Sequence, residues 1–194
     1  MKVIVGLHNP ERTYSGTRHN VGAEVVGAFA ERWGFRFRRG PRRVAASVAQ
    51  GTVGGVEVIL VLPRVSMNVS GPPVASVLRY YGATADDLLV AHDDIDLPFG
   101  RLRLHRGRGA GGHNGVRSIV ATVGSRDFYR LKIGVGRPPG RMDPAAFVLQ
   151  RFDTDERHEV DLLVADAADV VERFLSDPAD AMQVAGARRP EDPR

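Results

Sequence analysis

A chain of 194 residues, 43% apolar and 26% charged, is long enough for one domain with a substantial core and has the balance of an ordinary globular protein. It has no cysteine, which excludes a disulfide framework, a thiolate metal site and a cysteine nucleophile. No apolar run approaches the roughly 18 residues of a membrane span and no leading segment reads as a signal peptide, so a cytoplasmic protein is expected.

The net charge of +4 is unevenly placed. Residues 1–142 hold 21 Lys/Arg against 10 Asp/Glu, and residues 143–194 hold 6 against 13. A basic body with an acidic C-terminal segment suits a polyanion met on one side. Arginine far outnumbers lysine, which nucleotide composition could produce. Such a bias chooses between the two cations and does not create the asymmetry.

Val3, Ile4 and Val5 begin a strand buried on both faces, and Gly6 and Asn9-Pro10 break it into a loop. The loop carries Asn9, Tyr14, Arg18, His19 and Asn20. It ends where Val21, Val25, Phe29 and Trp33 start a helical stripe. Polar groups thus stand at the carboxyl end of a buried strand ahead of a helix, where open α/β sheets bind ligands.

Arg36, Arg38, Arg39, Arg42 and Arg43, beside Phe35 and Phe37, fit either a nucleic-acid backbone or a solvated loop. Residues 44–49 and 56–62 read as strands around the glycines at 51, 54 and 55, with Pro63 ending the second. Ser66-Met67-Asn68-Val69-Ser70-Gly71 follows, then a helix through Val74, Val77, Leu78 and Tyr81. Leu88–Ala91 is a further buried strand, ending in His92-Asp93-Asp94-Ile95-Asp96.

Arg101-Leu-Arg-Leu104 alternates, with Leu102 and Leu104 facing inward. His105, Arg106 and Arg108 extend a basic strip before the turn 107–115. A helix with Val116, Ile119, Val120 and Val123 follows. In Tyr129–Val135, Arg130 and Lys132 share one face. Asp153 to Leu175 forms a final helix, acidic outside, and residues 186–194 are expected to fray.

Several chemistries are excluded. No serine sits in G-x-S-x-G and no G-x-x-x-x-G-K-[ST] occurs. Gly107, Gly109 and Gly112 satisfy G-x-G-x-x-G. The preceding strand is half-exposed, however, and Asp127 precedes a strand instead of ending one, which argues against a dinucleotide site. His19, His92, Asp93, Asp94, Asp96 and His113 are suitable zinc or manganese ligands, but no H-x-x-x-H or H-E-x-x-H pair places two imidazoles on one helix face. What remains is a set of His, Asp and Asn after strand–loop breaks. A neutral imidazole can take a proton from water, a carboxylate can fix its tautomer, and carboxamides can orient water and hold a carbonyl. That set suits hydrolysis of an activated acyl bond by water.

Five ordered stretches resemble the bacterial peptidyl-tRNA hydrolase family. They are V-G-L-x-N-P-x-x-x-Y-x-x-T-R-H-N-V-G from Val5, M-N-x-S-G from Met67, H-D-D-I-D-L-P-F-G from His92, G-G-H-N-G-V-R-S-I from Gly111 and R-L-K-I-G-V-G-R-P from Arg130. The resemblance implies a single α/β domain over about residues 1–185, with one mixed, twisted sheet flanked by helices on both faces. It implies an esterase that frees tRNA from prematurely released peptides, acting as a monomer without metal or cofactor.

Carried over residue by residue, His19 would be the general base and Asp93 its orienting partner. Asn9 and Asn68 would hold the peptide end or the attacking water, and Asn114 the water or the forming oxyanion. Tyr14 would lie near the tRNA 3′ end, Met67 would line the peptide channel, and His113 would brace its turn. Arg103, Arg106, Lys132 and His105 would meet tRNA phosphates. Three departures stand out: His8 and Glu11 replace usual glycines, Ser66 replaces an aromatic, and His105 replaces a lysine. They leave the hydrolytic set intact and put substrate preference in question. The alternative is a divergent paralogue that binds tRNA or acts on another aminoacyl-tRNA adduct.

Overall fold

The β-branched run at the N-terminus becomes the central strand of the molecule. In a computed structural model, which describes residues 1–190, β1 (Lys2–Gly6) buries Val3, Ile4 and Val5 completely. The remaining elements are α1 (Val21–Arg32), β2 (Arg38–Arg39), β3 (Ala46–Val53), β4 (Val56–Pro63), α2 (Gly71–Tyr81), β5 (Leu88–Asp94), β6 (Leu102–Arg106), α3 (Asn114–Val123), β7 (Tyr129–Gly134), α4 (Pro144–Val148), α5 (Thr154–Ser176) and α6 (Pro178–Ala187). The seven strands form one sheet in the order β2-β3-β4-β1-β5-β7-β6. β4, β1, β5 and β7 run parallel, while β2, β3 and β6 pair antiparallel with their neighbours. The expected mixed α/β sheet is therefore present.

Alternation along the strands builds two cores. Leu89 and Ala91 of β5 pack on one side with Val25 and Phe29 of α1 and Val160, Leu163 and Phe174 of α5. Leu88 and Val90 pack on the other with Val74 and Val77 of α2 and Val116 and Ile119 of α3. Each fully buried aliphatic or aromatic side chain contributes about 1.5–3 kcal/mol. The chain leaves β1 and reaches β4 on one side, then returns to β5 on the other. The connections thus diverge over β1, and the carboxyl ends of β4, β1 and β5 surround a topological switch point.

Four details depart from the sequence expectations. β3 runs on through Gly51, where an added Cβ would lie 2.0 Å from the Phe35 ring; the turn falls at Gly54 and Gly55 alone. β5 extends past Ala91, so His92, Asp93 and Asp94 stand on the strand. Trp33 caps the end of α1 at 38% exposure and does not continue its buried stripe. Finally, α5 is not the last helix. Asp177 accepts the Ala179 and Asp180 amides, and Pro178 opens α6.

α6 continues to Ala187, and Arg188 binds Asp166 at 2.9 Å, Glu159 at 2.5 Å and the Gly100 carbonyl. Residues 191–194, the end of the expected frayed tail, lie outside the described residues. The acids of α5 are partly used internally: Asp169 pairs with Arg32 of α1 at 2.5 Å. Part of the charge asymmetry is thus fold electrostatics.

Candidate active site

Close backbone packing brings the site together. A Cβ on Gly22 would lie 2.2 Å from the Ala91 carbonyl oxygen. Only glycine lets the first turn of α1 settle on β5, and this seats the preceding helical turn (Arg18–Asn20) over the strand end. His19 Nδ1 then lies 2.8 Å from Asp93 Oδ1. On the other side, His113 Nε2 lies 2.9 Å from the same oxygen. His113 is the N-cap of α3, and its Nδ1 accepts the Val116 amide at 3.3 Å. An Nδ1 that accepts leaves the proton of a neutral ring on Nε2, so His113 donates to Asp93.

Asp93 is 3% exposed. Burial opposes its ionisation, but the electrostatic attraction and hydrogen bonds of His113 and His19 outweigh that cost. They hold the carboxyl well below the usual carboxylate range. A carboxylate that accepts from His19 Nδ1 leaves Nε2 as the free, basic nitrogen.

Asn9 is set with equal definition. Its backbone N–H donates to Asn20 Oδ1 at 2.9 Å, and its carbonyl accepts from Asn20 Nδ2 at 3.0 Å. Its side-chain oxygen accepts the Met67 amide at 2.9 Å. With that oxygen engaged, the Asn9 NH2 is the end available to a ligand. His8, a departure from the family glycine, ties the loop to the Pro63 carbonyl at 2.8 Å. The loop keeps its grip on Asn9 nonetheless.

These residues line a cleft of about 550 Å³ that also takes in Met67, Asn68, His92, Asp94, Ala110–Asn114 and, opposite, Asp143–Ala145, Val148 and Leu149. Asn68 and Asn114 are exposed within it. Tyr14 is half-buried one turn before His19 and is not among the lining residues.

Sequence reading named Arg18 and Arg130 but missed that they are buried and hold this cleft together. Arg18, 3% exposed, donates to the Arg151 carbonyl and to Glu156, each at 2.6 Å. Its guanidinium centre lies 4.4 Å from the Phe147 ring centroid and 5.1 Å from that of Phe152. The turn bearing His19 is thereby latched to α4, the opposite wall. Arg130 is fully buried and donates to the carbonyls of Gly107, Arg108 and Gly109, bracing the loop that leads to His113. Neither arginine differs in local sequence from a surface one. For α4, the one available signal was Asp143-Pro144, an N-cap followed by proline at the first helical position.

The expected phosphate contacts fall into different states. Arg103 is exposed and has no hydrogen-bond or ion-pair partner among the described residues. Lys132, opposite Arg103 in the β6–β7 register, pairs with Asp94 at 2.5 Å. Arg106 is held by Asp86 and by the Asp127 carbonyl. His105 is pushed down to about 4 by burial and by the charges of Arg130 and Lys132. Burial, and after it the neighbouring His113 ring, push His92 down to about 3.

Both rings are therefore uncharged at neutral pH. A lowered folded value means that the unfolded chain binds the proton more readily below 6.5. Their contribution to stability is thus complete above pH 6.5 and is lost as pH falls toward about 4 for His105 and about 3 for His92. His105→Gln is expected to flatten this decline between pH 6.5 and 4 in urea unfolding, and to leave tRNA affinity at pH 7.5 within about twofold. A large loss of affinity would show that His105 carries charge in the complex.

His19, Asp93 and His113 also offer ligand atoms that all lie within 4.8 Å of one another, a spacing a cation could use. Each ring–carboxylate pair is already at direct hydrogen-bond distance, with the facing nitrogens serving as N–H donors. Hydrolytic turnover is expected to be unchanged after exhaustive chelation. Loss on chelation with recovery on adding zinc or manganese would instead make these three residues a metal centre.

Residues 3–192 match the family described as peptidyl-tRNA hydrolase. The peptidyl-tRNA hydrolase of Frankia casuarinae is 46% identical over 181 residues, covering 93% of this chain and 91% of the relative. That of Mycobacterium tuberculosis is 46% identical over 173 residues, covering 89% and 90%. A crystal structure of peptidyl-tRNA hydrolase from Acinetobacter baumannii superposes with a TM-score of 0.91 at 33% identity, covering 97% of this chain and 96% of that one.

Proposed function

Since the chain belongs to the peptidyl-tRNA hydrolase family, we propose that it cleaves the ester joining a peptide, or an N-blocked aminoacyl group, to the 3′-terminal ribose of tRNA. Its role is then to recycle tRNA from prematurely released peptidyl-tRNA. The observation that carries the assignment of roles is the single Asp93 oxygen that accepts from both His19 and His113.

In this reading a water lies between His19 Nε2 and the ester carbonyl. His19 takes a proton from it as the oxygen attacks the carbonyl carbon. Asp93 stabilises the imidazolium that forms. The Asn9 NH2 donates to the water or to a peptide carbonyl, Asn68 holds the peptide end, and Asn114 donates to the forming oxyanion. The tetrahedral intermediate collapses with cleavage of the bond to the ribose 3′-oxygen, which receives the proton from His19. A free acid and a tRNA with its 3′-hydroxyl restored leave the site. Met67 lines the peptide side, and Arg103 and Lys132 meet phosphate, Lys132 exchanging Asp94 for it.

The test is release of free tRNA from N-acetyl-aminoacyl-tRNA by the purified protein, run over several adducts. No release from any of them would reject the proposal. Release from one unusual adduct alone would favour the paralogue reading.

A further inference from the structure

A second basic region lies at the same end of the sheet as the cleft. Arg36, Arg38, Arg39, Arg42, Arg43 and Arg64 are all exposed. None of their side chains has a hydrogen-bond or ion-pair partner among the described residues. This sets them apart from Arg32, Arg106, Arg137, Arg157, Arg173 and Arg188, each paired with an acid. No acid occurs in the sequence between Glu31 and Glu57.

Strand pairing gathers Arg38, Arg39, Arg42, Arg43 and Arg64 at one corner. Arg38 and Arg39 face Val48 and Ser47 across the β2–β3 ladder. Ala46 pairs with Pro63 at the carboxyl end of β4, and the Arg64 amide bonds the Ala45 carbonyl at 2.8 Å. The loop holding Arg42 and Arg43 therefore sits beside Arg64, three residues before Met67 of the cleft. Arg39, Arg42 and Arg43 also border a hollow of about 400 Å³. Arg43 holds a left-handed backbone, φ 72°, a conformation uncommon for arginine.

We propose that this corner is a second RNA-backbone contact, which engages phosphates of the tRNA whose 3′ end enters the cleft. The inference rests on the function proposed above. The chemistry favours RNA over a protein or membrane partner. Phe35 and Phe37 are packed against the core and offer no apolar anchor, so the corner presents charge and planar guanidinium forks alone, the pattern suited to phosphate. Two strand spacings, roughly 10 Å, separate β2 from β4, so a duplex stem could span both the cleft mouth and the corner. On the opposite side, by contrast, Lys132 and Arg106 are already paired with acids. None of the arginines of the corner is paired in this way among the described residues.

The experiment compares the protein with a variant carrying Arg38→Gln, Arg39→Gln, Arg42→Gln and Arg43→Gln, and with each adjacent pair altered alone. Binding of deacylated tRNA is measured across a salt series. Hydrolysis is measured on full N-acetyl-aminoacyl-tRNA and on the same aminoacyl ester of a CCA trinucleotide. With each lost phosphate contact removing about 0.7–0.9 from the slope of log K against log salt, the fourfold variant should lose about 3–3.5 from that slope. Its tRNA affinity should fall about tenfold and KM for the full substrate should rise to match. Its kcat, its turnover of the trinucleotide ester and its melting temperature should be unchanged. Either pair alone should show an intermediate effect.

An unchanged salt slope in the fourfold variant overturns the proposal, as does an equal loss on both substrates. Full displacement of tRNA by polyglutamate from the parent protein but not from the variant would assign the corner to acidic peptides and overturn it too. If the parent hydrolyses neither substrate yet the variant loses tRNA binding, the functional reading fails and the RNA contact stands.

Discussion

Alanine at His19 is expected to lower kcat for tRNA release by about 10²–10⁴-fold, the range over which a positioned general base contributes. The His19 ring is only partly exposed, yet its one recorded polar bond is to Asp93. Asp93 keeps its second bond, from His113, when His19 is removed. Loss of one hydrogen bond to a buried group costs about 1–3 kcal/mol, and a chain of this length loses roughly 2–4 °C in melting temperature per kcal/mol. The variant should therefore stay folded with Tm lowered by less than about 12 °C, and KM should change little. Stopped or burst assays showing near-normal turnover in a folded His19→Ala protein would remove His19 from the reaction.

Asp93→Asn probes a different quantity. The asparagine oxygen can still accept from both rings, so the geometry can persist, but the negative charge that supports an imidazolium is gone. A loss of about 10²-fold or more in kcat is expected, with the direction set by the imidazolium that must form during attack. The same change has a signature in stability. A carboxyl depressed on folding contributes stability above its unfolded value of 3.8, and that contribution is lost as pH falls through and below it. The asparagine variant should thus show a shallower acid dependence than the parent between pH 4 and 2. Identical acid profiles together with unimpaired kcat would mean that Asp93 is neither ionised nor coupled to His19.

Much of the frame could be read from residue pattern because it is local. The apolar run at Val3–Val5 is too continuous for a half-exposed strand. The alternation in Leu102–Leu104 and Leu131–Val135 gives a face to each residue. The stripe through Val116 and Ile119 needs a helix. Partners distant in sequence could not be read that way. His19 and Asp93 are 74 positions apart, and they meet because β1 and β5 are neighbours and Gly22 admits close packing.

The same limit hid the pairing of Lys132 with Asp94 and of Arg106 with Asp86, which leaves Arg103 and Arg108 as exposed cations of that strip without a side-chain hydrogen-bond or ion-pair partner among the described residues. It also hid the burial of Arg18 and Arg130, since pattern alone assigns arginine to the surface. α6 escaped notice for a local reason: its sequence is alanine-rich and only two of its residues, Ala181 and Ala185, are buried, so no strong stripe marks it.

The latch at Arg18 also bears on synthesis. Thr17 bridges Arg151, the Arg18 amide bonds the Gln150 carbonyl, and the guanidinium reaches Glu156. A nascent chain that had emerged only as far as β7 would hold every residue assigned to water activation, yet the segment bearing its imidazole would have nothing to close against. Contacts of such long sequence separation are slow to form. Competence should therefore arrive late, once the start of α5 has left the ribosome, well after the central strands have paired.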